Sequence, residues 1–282
     1  MSSKKICAMT MARNDNFFLE RWIAHYGREL GFENLYVYLD GRDQEAPSDP
    51  SGRANIIFCD KIEGNISKLD PERIDVQSGR AARLLEKYDI VIGCDADEFL
   101  CVDPALGVGL ADYLSSLDIR TSVSGLGIDV CQHLGEEAPF DPAAGTILSQ
   151  RHYAIMEPDY TKPCVIDSPV HWGVGYHRVR GHNFHIDPHL YMFHFGCFDL
   201  EMIKRKFSNS ELIKTGWEEH LKMRRHAIDV VTACRKPLDG DAFFPVARFI
   251  QTWFRPIYKL NRPSMLRQEK VIRIPERFSS LV

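Results

Sequence analysis

The chain has 282 residues, 44% of them hydrophobic and 26% charged, with a formal net charge of −4. This is the make-up of a soluble globular protein that can bury a sizeable core, as one large α/β domain or two small ones. The balance gives no reason to expect wholesale nucleic-acid binding, no apolar signal follows MSSKK, and no run reaches the ~20 apolar residues that span a bilayer.

In chain order, KICAM is a short apolar strand and ARNDN a turn with helix-capping residues. FFLERWIAHYGREL places Phe18, Leu19, Trp22, Ile23, Tyr26 and Leu30 at helical spacing, and Gly31 ends that helix. NLYVYL is a second strand that stops at DGRD, and after a polar loop NIIFC is a third. DVQSGRAARLLEKY predicts a helix over 75–88 and leads into DIVIGCD, a fourth strand. That strand is apolar throughout, as a central parallel strand is. TSVSGLGIDV reads as a further strand, 131–190 as loops on a small antiparallel element, and the stretch after Asp199 as helical.

Strands alternating with helices predict an α/β fold: an open, mixed, mostly parallel sheet with helices on both faces. We place a catalytic domain at 1–198 and a helical, basic-aromatic extension packed on it at 199–282. Eight cysteines are scattered without a CxxC pair, which reads as reduced thiols in a cytoplasmic protein and offers no familiar cysteine–zinc spacing.

In open sheets of this kind ligands bind at the carboxyl ends of the strands, and Asp40, Asp60 and the acids of DIVIGCDADEFL all fall at such ends. Burying Asp95, Asp97 and Glu98 beside Ile90–Ile92 is costly unless positive charge pairs with them. Two carboxylates one residue apart at a strand end suit a hard divalent cation, Mg²⁺ or Mn²⁺, that holds a diphosphate and neutralises the departing phosphate. A helix cap or a solvated acidic loop is the competing use of such a pair.

DIVIGCDADEFL resembles the D-x-D-E-F segment of family 2-like glycosyltransferases with a GT-A fold. MARNDNFFLERWIAHYGRELGFENLYVYLDGRD is similar to the opening of that group, with LERW where the usual form is L-x-E-W. TKPCV, HWGVGYH and YMFHFGCFD resemble its downstream blocks, so the likeness spans roughly residues 5–210. It implies a metal-dependent, inverting transfer of a sugar from a nucleotide-sugar donor to a hydroxyl of a glycan or lipid-linked acceptor.

The resemblance also implies roles. Asp97 is the main metal ligand, with Asp95 near the metal or the ribose. Asp40 accepts from the nucleotide base, and a carboxylate there takes the N3–H of uracil, favouring a UDP-sugar. Arg13 and Asn14 contact base or ribose, and Arg80 and Arg83 reach the diphosphate. A turn residue before Gly41 and a solvated helix face are the plainer uses of Asp40 and the two arginines.

Six of the eleven histidines lie between 171 and 194, and this fold often completes its metal site with one from far downstream. His194, inside the apolar LYMFHFG, and His177, in the glycine-flanked GVGYH, are the two candidates, against a satisfied core histidine. An inverting transfer needs a carboxylate base within hydrogen-bond reach of the acceptor hydroxyl. Asp129 and Glu137 are the leading candidates, with Glu136 and Asp167 behind them, and Lys162 either neutralises phosphate or is a plain surface lysine.

From residue 244 onward eight Lys or Arg face two Glu, interleaved with Phe, Trp and Tyr. That segment suits either an anionic membrane face carrying the acceptor or a core-packed tail with solvated cations. A dehalogenase-like phosphatase also carries D-x-D after a strand, but there it ends the first strand, not the fourth. The alternative function is a non-catalytic nucleotide-sugar or glycan binder that kept a degenerate transferase site.

Overall fold

The apolar runs of the first hundred residues become one parallel half-sheet. In the computed structural model, residues 4–62, 64, 66–214, 216–254, 261–265 and 269–282 are described, apart from the side chains of 66–69 and 211. β1 (Ile6–Ala12), α1 (Asn16–Leu30), β2 (Leu35–Asp40), β3 (Asn55–Cys59), α2 (Ile66–Leu84) and β4 (Ile90–Gly93) follow in order. The strands lie β3-β2-β1-β4, all parallel. Their carboxyl ends therefore share one edge, and Ala12, Asp40 and Gly93 stand on it.

Hydrophobic spacing explains why α1 covers this sheet. Phe18, Leu19, Trp22, Ile23 and Tyr26 fall on one face and are buried. α2 begins at Ile66 and ends at Leu84 rather than spanning 75–88. Pro71 lies inside it, and proline ordinarily marks a helix boundary, which is why periodicity starts the helix too late.

The second half is mixed. It contains β5 (Glu98–Val102), α3 (Leu110–Ser116), β6 (Ser122–Cys131), α4 (Ile147–Gln150), β7 (Tyr153–Ile155), β8 (Val165–Ile166) and β9 (Ile186–Cys197). α5 (Leu200–Phe207), α6 (Ser210–Lys214), α7 (Glu218–Ala233), β10 (Leu238–Asp239), α8 (Gly240–Trp253) and β11 (Val271–Arg273) complete the described strands and α-helices. β8 pairs antiparallel with both β4 and β6 and joins the two halves. β10 and β11 extend the same sheet through β7. The open, mixed α/β architecture is the one that the alternation of strand and helix predicts.

Two registers position the chemistry. β9 runs antiparallel to β5 with His194 opposite Glu98, and parallel to β6 with His194 opposite Asp129. His194 is thus fixed between two acidic neighbours by backbone pairing alone. On β6, a Cβ at Gly127 would come within 2.5–2.6 Å of backbone atoms of Glu157, Tyr160 and Thr161. Only glycine lets the 157–161 segment lie on that strand, and this segment delivers Tyr160 and Lys162 to the sheet edge.

Candidate functional site

An open cavity of about 1120 Å³ lies along the carboxyl ends of β1, β2 and β4, and Asp95, Asp97 and Glu98 line its middle. The acids are paired, and the partners are the protein's own cations. Asp95 meets Arg73 at 3.4 Å through Oδ1 and Lys162 at 3.0 Å through Oδ2. Lys162 Nζ also lies 2.5 Å from Glu98 Oε1, and both of those side chains are buried. Arg224, from α7, donates to Asp97 Oδ2 at 3.1 Å.

Charge balance follows from this pairing. Burial works against the charged form of Asp95, but Lys162 and Arg73 outweigh it and hold the carboxyl below its usual range. Burial pushes Glu98 up to about 7, against the pull of Lys162. Lys162 is itself desolvated, yet Glu98 and Asp95 raise it and keep it protonated.

His194 makes the most specific arrangement. Its Nδ1 lies 2.6 Å from Asp129 Oδ1, and its Nε2 lies 3.4 Å from Asp97 Oδ2. The Tyr160 ring stacks on the imidazole with centroids 3.7 Å apart and planes inclined by 14°. Burial lowers the imidazole pKa, but Asp97 and Asp129 together raise it to about 9. The same contacts, with Arg224, hold Asp97 well below the usual carboxylate range despite its burial.

A carboxylate that bonds one histidine nitrogen while the other nitrogen faces a second carboxylate is the usual support of a histidine metal ligand. Adjacent ligands around an octahedral cation with bonds of 2.0–2.2 Å sit ~3 Å apart, so the 3.4 Å between Asp97 and His194 fits such an ion with little movement. Asp97 and His194 are the pair that could hold a divalent cation here. Asp95 is committed to Lys162 and Arg73.

The remaining sequence candidates divide. Arg13, Asn14 and Asp40 line the end of the cavity nearest β1 and β2. Arg13 donates to the carbonyl of Asp40 and, through both terminal nitrogens, to Asp43, each at 2.8 Å. Asp40 Oδ1 accepts from the amide of Ile62 at 2.9 Å. Gly41 follows with φ +101, so the turn use and the cavity use of Asp40 coexist. Asn14 and Tyr176, both cavity-lining, hold left-handed φ values of 51° and 61°, strain of the kind that gathers at sites.

His177 lines the same cavity, but its Nδ1 lies 2.7 Å from the Asp159 carbonyl, and burial and Lys162 lower its pKa to about 4. Arg80 does not reach the cavity. Its guanidinium lies over the Tyr38 ring and donates to Gln77 and Cys59. Arg83 is exposed and also off the cavity. Arg73, two turns earlier on α2, stands where Arg80 was expected.

Both leading base candidates are engaged by partners of their own. Asp129 lines the cavity but is 6% exposed and shares its oxygens with His194 and the Cys197 thiol. Glu137 lies off the cavity, where it accepts from the amides of His133 and His152. Glu136 bonds the Tyr153 hydroxyl, and Asp167, exposed, accepts from Thr121.

The sequence reading missed Arg73, Arg224, Lys206, Asp15 and Tyr160. Lys206 pairs with Asp15 at 3.2 Å, and both line the cavity with Arg205. Arg224 sits on a helix whose charge pattern looks solvated, so no sequence signal marked it. Asp15 and Arg73 had one: each lies beside a residue or helix already singled out.

No family model matches the chain, and no curated protein matches it. Among solved structures, the mannose-1-phosphate geranyltransferase from Thermus thermophilus is similar at 12% identity. The alignment covers 98% of this chain and 76% of that one, with a TM-score of 0.29. The glycosyltransferase GlyE of Streptococcus pneumoniae is similar at 16% identity over 50% of this chain and 33% of that one, with a TM-score of 0.23. Both neighbours are transferases by name. At these scores neither likeness carries an argument about this chain.

Proposed function

We propose that the protein is a nucleotide-sugar glycosyltransferase of GT-A type, similar to the D-x-D-E-F subgroup of family 2, using UDP-sugars and a divalent cation, Mn²⁺ or Mg²⁺. One observation carries the reading: the Asp129–His194–Asp97 line at the floor of a cavity that runs along the strand ends to Asp40.

In this reading Asp40 Oδ2 accepts from uracil N3–H while Oδ1 stays on Ile62. The diphosphate lies across Asp95 and Asp97, where Arg73, Lys162, Lys206 and Arg224 supply positive charge preorganised by their acidic partners. When bound, the cation on Asp97 and His194 Nε2 stabilises charge on the leaving diphosphate. Asp129 orients His194 through Nδ1, and Tyr160 excludes water from the ring. The base for an inverting transfer in this reading is one of the acids that line the cavity, Asp129, Asp15 and Glu157 among them.

A second reading, nucleotide-sugar binding without turnover, is favoured by the engagement of both Asp129 and Glu137. Incubation with a UDP-sugar panel and Mn²⁺ separates the two. Release of UDP above the no-enzyme rate supports the transferase, and tight UDP binding with no release supports the binder.

The acceptor in this proposal is a glycan or a lipid-linked hydroxyl. Val246, Phe249 and Trp253 of α8, with Phe254 after it, are exposed on the side opposite buried Phe244, Ala247 and Gln251, and Trp253 is 71% exposed. An apolar outer face of this kind suits peripheral contact with an anionic membrane. Residues 255–260 and 266–268 of the basic-aromatic segment lie outside the described residues. No helix among the described residues is long and apolar enough to cross a membrane.

A further inference from the structure

Cys131 and Cys197 are far apart in sequence and show no zinc-like spacing, yet β6 and β9 pair them directly. Asp129, two residues before Cys131, faces the same point. One ligand atom from each of Asp129, Cys131 and Cys197 lies within 4.8 Å of the others, and all three side chains are buried. Three atoms so spaced all lie within about 2.8 Å of a common point, a few tenths of an ångström beyond zinc–sulfur bonds of ~2.3 Å.

We propose that Asp129, Cys131 and Cys197 form an exchangeable site for a thiophilic divalent cation of the zinc class, beneath the floor of the cavity. Sulfur decides the class: two thiolates select zinc over the Mg²⁺ or Mn²⁺ that the oxygen and imidazole donors of Asp97 and His194 suit. The approach is from the cavity, which Asp129 and Cys197 line and Cys131 does not. With three protein ligands, the fourth position is left to water, unlike the closed four-ligand set of a structural zinc site.

Each thiol donates to Asp129. Cys197 Sγ reaches Oδ2 at 3.6 Å, and Cys131 Sγ reaches the backbone carbonyl at 3.4 Å. Binding breaks two S–H bonds, forms two metal–sulfur bonds and releases two protons to solvent. Cation and thiolates then neutralise each other in a place where burial alone disfavours a lone thiolate.

Occupation also has a consequence, which rests on the transferase reading above. Asp129 orients His194, so a cation that takes Asp129 loosens the Asp97–His194 pair, and Zn²⁺ inhibits where Mn²⁺ supports activity.

The test is titration of the reduced, purified protein with Co²⁺, followed by displacement with Zn²⁺. The expected result is a thiolate-to-cobalt charge-transfer band that saturates at one ion per chain and is removed by Zn²⁺. Cys131→Ser and Cys197→Ser each weaken the band and the Zn²⁺ affinity, and the double variant abolishes the band, while melting temperature and UDP binding stay near wild type. If serine disturbs the core, Cys131→Ala and Cys197→Ala replace the serine variants. No thiolate band in the wild type, or a band that persists in the double variant, overturns the proposal. A Cys131–Cys197 disulfide resistant to mild reduction overturns it as well. Because the band is read without turnover, a silent enzyme with an intact band counts against the transferase reading and leaves the metal site standing.

Discussion

Replacing Lys162 by methionine removes a cation that both Asp95 and Glu98 touch, at 3.0 and 2.5 Å. The lysine side chain is 3% exposed and Glu98 is 1% exposed, so the abandoned carboxylate stays in a dry place. Losing one partner of a buried ion pair costs about 3–5 kcal/mol. In a protein of this size that corresponds to a fall in melting temperature of roughly 6–20 °C. The defect is pH-dependent, with a sign set by Glu98. Its folded pKa, already raised to about 7, rises further without Lys162, so the loss relative to wild type is full above that higher value and shrinks as pH falls toward about 7. Urea unfolding followed by circular dichroism at pH 5 and pH 8 reads both effects. Lys162→Met/Glu98→Gln recovers much of the loss at pH 8. A single variant within about 1 kcal/mol of wild type at pH 8, equally so at pH 5, refutes the buried-bridge account.

Asp97→Asn keeps size and most hydrogen bonding but removes a charged ligand, so folding survives while UDP release falls at least ~100-fold; retained turnover in a folded variant moves the cation elsewhere. His194→Ala weakens Mn²⁺ affinity by calorimetry in the presence of UDP, whereas His177→Ala, held by a backbone carbonyl, leaves it within about twofold; the reverse pattern transfers the ligand role. Mn²⁺ must displace the His194 proton, so its affinity climbs by up to ~tenfold per pH unit from 6.5 toward about 9, while the metal-free protein keeps the His194 ion-pair stabilisation below 6.5 and loses it through about 9; a flat profile between pH 7 and 9 counts against imidazole ligation. Phe249→Ser/Trp253→Ser lowers co-sedimentation with phosphatidylglycerol vesicles at least ~tenfold without changing oligomeric state; a wild type that ignores those vesicles removes the membrane reading.

The half-sheet was legible because its strands and α1 are marked by local apolar patterning, and parallel strands put Asp40 and the D-x-D on one edge. Periodicity found β6 as well, ending at Cys131 beside Asp129. What sequence could not supply was pairing across distance. His194 was one of two histidine candidates until the β5–β9 and β6–β9 registers set it between Glu98 and Asp129. Arg224 reaches Asp97 from 127 residues away, and nothing local in its helix signals that. Glu137 ranked second among the base candidates, and its carboxylate accepts from the amides of His133 and His152. Arg80 and Arg73 stand two turns apart on one face of α2, and only their height along that helix decides which one enters the cavity.

The central claim is that a divalent cation joins Asp97 and His194 to a nucleotide diphosphate, and calorimetric titration of UDP in matched Mn²⁺ and chelator buffers tests it most directly. Wild-type protein should bind UDP at least ~tenfold more tightly with Mn²⁺, with the difference abolished in Asp97→Asn and the chelator-buffer affinity unchanged by that substitution. Equal UDP affinity in the two buffers, with Arg73, Lys162 and Arg224 intact, would contradict it and leave the protein's own cations as the whole of the diphosphate site.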